Sequence, residues 1–207
     1  MAWLNLAHAQ EATDKSAAAE SVGKALALAP NVADPHYDMG LVYLEENDLA
    51  AATAEFRRTV ELEPRHAPAQ NMLGYCLVAQ NDSQAGIGHY RLALAIRPRY
   101  TAAHFNLGVA LRDTNQIDDA AREFSAALDT DPQDASALRE LANIRIHRGD
   151  YAAAADLLRR LTVVQPNNAE AHFDLATALR LLHQDDEAQA HLFKALALKP
   201  ELRARLK

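Results

Sequence analysis

Apolar residues along this chain recur three and four apart in paired runs, the period of amphipathic helices, with short polar breaks between them. From Ala33 to His66, Tyr37, Met39, Gly40, Tyr43 and Leu44 mark one helical segment; Ala52, Phe56, Thr59, Val60 and Leu62 mark the next. Asn47-Asp48 separates the two. Asn tolerates the left-handed conformation that ends a helix, and Asp is a good cap for the one that follows. The same break recurs as Asn81-Asp82, Asn115-Gln116, Gly149-Asp150 and His183-Gln184. Each pair of segments is closed by a proline, which has no N–H to donate and disfavours helix in the residue before it. Those prolines, Pro30, Pro64, Pro98, Pro132, Pro166 and Pro200, stand 34 residues apart.

A fixed period of this length predicts an array of helix pairs in which every unit buries its apolar face against its neighbours. The predicted units are about 1–32, 33–66, 67–100, 101–134, 135–168 and 169–202, forming one domain over 1–207; residues 203–207 read as the start of a cap or a truncated further helix. Small residues recur in register. Gly40, Gly74, Gly108, Ala142 and Ala176 on first helices, and Ala52, Gly86, Ala120, Ala154 and Ala188 on second helices, are expected where the two helices of a unit cross. Gly86 and Gly88 also lower the helix propensity of one second helix, the expected softest segment. The first unit keeps Trp3, Leu6-Ala7 and Pro30 but is one residue short between its helices.

These residues resemble the tetratricopeptide repeat, whose pattern sets an aromatic, Leu-Gly, a second aromatic, Ala, a third aromatic, Ala and Pro at fixed places. The second unit reads His36, Met39-Gly40, Tyr43, Ala52, Phe56, Thr59, Pro64; the fourth reads His104, Leu107-Gly108, Leu111, Ala120, Phe124, Ala127, Pro132. The fifth unit departs from the pattern, with Leu138, Leu158 and Leu161 for aromatics and Arg145 where an aromatic is usual. The resemblance implies an all-α, right-handed superhelical solenoid of antiparallel helix pairs.

Composition narrows the function. The chain is 49% hydrophobic, but its mean hydropathy is -0.25, and no apolar run approaches the roughly 20 residues that cross a bilayer. A net charge of -7 without a basic stripe argues against nucleic acid. The expected compartment is the cytoplasm, or the periplasm if a leader lies outside the chain. Cys76 reads as a buried thiol beside Leu77 and Val78. His36, His104 and His172 hold one repeat position in different units and cannot share an ion, so they read as packing residues. His183, Glu187 and His191 have a metal-like spacing, but His183 falls in a predicted turn. Asp118-Asp119 and Asp185-Asp186-Glu187 read as solvated helix starts. No phosphate loop or His-Glu-x-x-His run exists. The expectation is therefore a non-catalytic protein with no cofactor and no metal.

In the resembled family the first helix of each repeat lines a concave groove that binds segments of partner proteins. Carried over by position, the groove takes Tyr37, Asp38, Leu41 and Glu45; Asn71, Met72, Tyr75 and Val78; Phe105, Asn106, Val109 and Arg112; Arg139, Glu140, Asn143 and His147; and Phe173, Asp174, Thr177 and Arg180, with Leu4, Asn5 and His8 from the first unit. Aromatic and Arg anchors beside amides suit a protein-binding surface. The subtype that clamps a terminal carboxylate is matched only by Arg139 and Asn143. The Asn of the O-linked N-acetylglucosamine transferase repeats is matched at Asn5-Leu6-Ala7 and Asn106-Leu107-Gly108 but not at Asp38, Met72, Glu140 or Asp174. The implied function is a scaffold that binds a partner peptide or helix. Two alternatives stand beside it: a recognition arm of a larger enzyme or of a secretion or assembly complex, and self-association through the array ends.

Overall fold

The computed structural model describes residues 15–206, together with Trp3, Leu6 and Ala7. The inter-helix turn of the first unit and the groove positions Leu4, Asn5 and His8 lie outside the described residues. The helices are α1 (Lys15–Leu28), α2 (Ala33–Glu45), α3 (Leu49–Leu62), α4 (Ala67–Ala79), α5 (Ser83–Ile96), α6 (Thr101–Asp113), α7 (Ile117–Thr130), α8 (Ala135–His147), α9 (Tyr151–Val164), α10 (Ala169–Leu181) and α11 (Asp185–Leu198), followed by a 3-10 segment, Pro200–Leu206. No strand occurs among the described residues.

The helix stops are those the sequence predicts, and their chemistry is visible. Asn47, Asn81, Asn115 and His183 take positive φ, as does Gly149 at 73°. Asp48, Asp82 and Asp150 then cap the next helix by accepting from the N–H groups of Ala51, Ala85 and Ala153. His183, at φ 58°, carries a Cβ into a region that costs an ordinary side chain about 1–2 kcal/mol. His183→Gly is therefore expected to stabilise the chain by about 1 kcal/mol, and Gly149→Ala to destabilise it by a similar amount. Nothing lies within 4 Å of a Cβ built on Gly149, so thermal unfolding of that variant reads backbone conformation alone.

The chain divides into two compact units, 1–110 and 111–207, with the division inside α6. In the first unit α2 pairs with α3 and α4 with α5, while α3 also packs on α4. The second unit repeats this with α8 and α9, α9 and α10, and α10 and α11. The small residues sit where the pattern puts them: Ala52, Ala120, Ala142 and Ala154 are wholly buried, and Ala176 and Ala188 nearly so. A Cβ on Gly40 would stand 2.6 Å from the Phe56 ring, and one on Gly86 would stand 2.7 Å from the Gly74 carbonyl oxygen. Phe56, Phe124 and Leu158, at equivalent repeat positions, fill the space beside these crossings and are buried.

Candidate functional site

What a first helix exposes depends on how it is rotated, and one side chain near its start fixes that rotation. His36 Nε2 donates to the Pro30 carbonyl at 2.9 Å, Gln70 Nε2 to Pro64 at 3.1 Å, His104 Nε2 to Pro98 at 3.0 Å and His172 Nε2 to Pro166 at 3.1 Å. In the fifth repeat Leu138 cannot donate, and Arg160 Nη2 reaches the Pro132 carbonyl instead, at 2.8 Å. The far side of the same residue meets the second helix: His36 Nδ1 lies 2.6 Å from Glu55, Gln70 Oε1 2.7 Å from His89 and His172 Nδ1 2.7 Å from His191. His36 and His172, expected only to pack, and Gln70 thus tie their proline junctions to both helices of their own repeats. The recurrence of His or Gln six residues after the proline was the available signal.

His172 Nε2 carries a proton toward a carbonyl, so its Nδ1 accepts from His191 Nδ1–H when the pair is neutral. Burial holds the imidazoles of His191 and His89 below the usual 6.5, assisted by the charges of His172 at His191 and Arg57 at His89. Lys194 and Arg159 act on His191 in the same direction, and Glu187 opposes them. The unfolded chain therefore binds more protons. This contribution to stability is complete above about pH 6.5 and is lost as pH falls toward the lower folded values. His191→Gln is expected to flatten the fall in melting temperature between pH 7.5 and 5.5.

In the first unit, the Tyr37 ring packs 5.7 Å from Phe56 and 4.8 Å from His66, and burial pushes its hydroxyl up to about 12. Tyr37 is half-buried and braces the repeat. Asp38 and Leu41 line a cleft of about 460 Å³ with Ala18 and Val22 of α1. Asn71, expected to be open to a ligand, is 0% exposed. Its Oδ1 accepts from Asn106 Nδ2 at 3.0 Å, which orients the half-exposed Asn106 amide. Phe105 and Val109 are half-exposed on the same helix. Tyr75 stands 48% exposed, although Gly74 and Cys76 on either side of it are buried.

In the second unit, Arg112 bonds Glu140 at 2.5 Å and Asp113 at 2.8 Å, which commits its guanidinium. Arg139 and Arg180 are exposed and make no ion pair among the described residues; Asn143 is half-exposed. Phe173 is buried in an apolar cluster with Ala195 and Leu202, and the Arg205 guanidinium lies 4.5 Å over its ring. Asp174 is also engaged by Arg205, at 3.4 Å. In the first unit Asn71 thus meets Asn106, and Tyr75, Phe105 and Asn106 are presented to solvent to differing degrees; in the second unit Phe173 and Asp174 are covered, and Arg139 and Arg180 are exposed.

Other candidate chemistry has local explanations. Burial raises the Cys76 thiol, which keeps it protonated. Asp34, Glu63 and His66 bring three potential ligand atoms within 4.8 Å of one another. His66 Nδ1, however, accepts the Ala69 N–H at 3.0 Å as the cap of α4, so the proton of the neutral ring sits on Nε2. That nitrogen donates, and the trio reads as a helix cap with two carboxylates beside it.

A model of the tetratricopeptide repeat family matches residues 37–101, 105–163 and 148–202. No curated protein sequence matches the chain. Among solved structures the chain is similar to PilF of Pseudomonas aeruginosa, with TM-score 0.86 and 20% identity over 99% of this chain and 96% of that one. It is similar to PilW, described as a widely conserved type IV pilus biogenesis factor, with TM-score 0.79 and 20% identity over 99% and 97%. It is also similar to YrrB, described as a TPR protein with an unusual peptide-binding site, with TM-score 0.76 and 20% identity over 91% and 100%.

Proposed function

The chain belongs to the tetratricopeptide repeat family, and from that premise we propose that it acts as a non-catalytic scaffold, holding a segment of a partner protein on the face of its first helices. The observation that carries this reading is Tyr75. A large aromatic side chain stands about half in water on a first helix whose flanking residues are buried, and packing within the repeat does not require it there. Phe105 and Asn106 add a second ring and an oriented amide on the next first helix of the same unit. Rings beside amides provide contact area and backbone hydrogen bonding to an extended or helical peptide.

The test begins with selecting peptides from a random displayed library on the intact protein. The affinity of the best peptide for wild type is then compared with that for Tyr75→Ala and Phe105→Ala. The reading expects both variants to lose affinity while keeping the wild-type helical signal. Peptides that bind both variants as well as wild type would place recognition elsewhere.

A further inference from the structure

The geometry points to a guanidinium-binding subsite on α10, formed by Glu170, Phe173 and Asp174, that takes an arginine of a partner segment and is closed at rest by the chain's own Arg205. Glu170 bonds the Arg205 guanidinium at 2.6 Å, Asp174 approaches it at 3.4 Å, and the Phe173 ring lies beneath it at 4.5 Å. Two carboxylates over an aromatic face match a planar cation with several donors. Leu202, three residues before Arg205, fills an apolar slot against Phe173 and Ala195. The resident segment therefore displays the ligand chemistry: an apolar side chain, two intervening residues, then arginine.

Three features bear on the site: the first on how easily the contact exchanges, the other two on what the site holds. The closing element is one short 3-10 segment whose buried side chain is Leu202 alone, and Arg205 itself is 51% exposed. Burial lifts the Asp174 carboxyl above its ordinary range against the pull of Arg205, so an ionised Asp174 without a cation beside it is disfavoured. Lys199, then Arg205, holds Glu170 below the usual carboxylate range. The third feature is repeat equivalence. Phe173-Asp174 occupy the same repeat positions as Phe105-Asn106, which stand half-exposed. The Phe173-Asp174 pair is covered by an arginine-bearing segment, whereas Asn106 of the other pair bonds Asn71, so only the covered pair shows an arginine held at these positions.

This inference rests on the first-helix face being the binding surface, but it concerns α10 alone. The probe is a blocked, fluorescein-labelled peptide with the sequence of residues 199–207, Lys-Pro-Glu-Leu-Arg-Ala-Arg-Leu-Lys. Its anisotropy is titrated with wild-type chain, Arg205→Ala and the double variant Leu202→Ser/Arg205→Ala, each checked for unchanged helical signal. Affinity is expected to rise in that order, by at least about 10-fold from wild type to the double variant. It should fall back when Asp174→Asn or Glu170→Gln is added, or when alanine replaces the probe's second arginine.

Binding that is equal across the three chains, or indifferent to Glu170 and Asp174, overturns the subsite. A wild-type chain whose mass in light scattering doubles with concentration, and loses that doubling on Arg205→Ala, would make the occupant a second copy and overturn the partner assignment. Neither result touches Tyr75 and Phe105, whose variants test the broader reading separately.

Discussion

Gly86→Ala is expected to destabilise the protein by about 1–3 kcal/mol, while Gly88→Ala, two residues along the same helix, stabilises it by up to about 1 kcal/mol. Both changes remove a glycine from the interior of α5, so helix propensity alone predicts a gain from each. Packing separates them. A Cβ on Gly86 would meet the Val78 side chain at 2.5 Å and the Gly74 backbone oxygen at 2.7 Å. The valine has some freedom to turn, but the carbonyl belongs to α4 and moves only if the helices part. A Cβ on Gly88 meets nothing within 4 Å. Thermal or urea unfolding of the two variants beside wild type decides it; equal shifts would mean that the crossing is looser than described.

The second large effect is on binding. With a peptide selected on the intact protein and held by the first unit, Phe105→Ala is expected to weaken affinity by about 1–3 kcal/mol, roughly 5- to 150-fold, with little change in melting temperature; for a peptide held by the second unit, Arg139→Ala is expected to do the same. Aromatic and Arg anchors carry most of an interface's free energy. Arg139 makes no ion pair among the described residues, so its removal leaves no partner carboxylate unpaired. Arg122→Ala is the control: its side chain is 72% exposed on the second helix α7 and pairs locally with Asp119. That change is expected to leave affinity within about 0.5 kcal/mol of wild type. Arg112→Ala is a poorer probe, because it also strips Glu140 of its partner.

The parts of this fold set by local chemistry were legible in the sequence. The positive φ values at Asn47, Asn81, Asn115 and Gly149 follow from residue types that tolerate them, and His183 takes the same conformation because the repeat frame puts it there. The crossings at Ala52, Gly86 and Ala120 follow from the spacing of small residues. What depends on the neighbouring repeat was harder to read. Asn71 looks like an open groove residue in its own helix, and only the approach of Asn106 from the next repeat shows why it is enclosed. Phe173 and Asp174 look open for the same reason, until the 3-10 segment brings Arg205 over them. The proline clasps were missed because they depend on the direction of a carbonyl, which the residue pattern encodes only as a recurring His or Gln.

The most direct test of a partner-binding first-helix face is amide hydrogen exchange, followed by mass spectrometry, on the intact protein with and without the selected peptide at saturation. The account predicts added protection over α4 and α6 around Tyr75 and Phe105, with α5 and the exposed side of α7 unchanged. Protection confined to second helices, with none over α4 and α6, would contradict it.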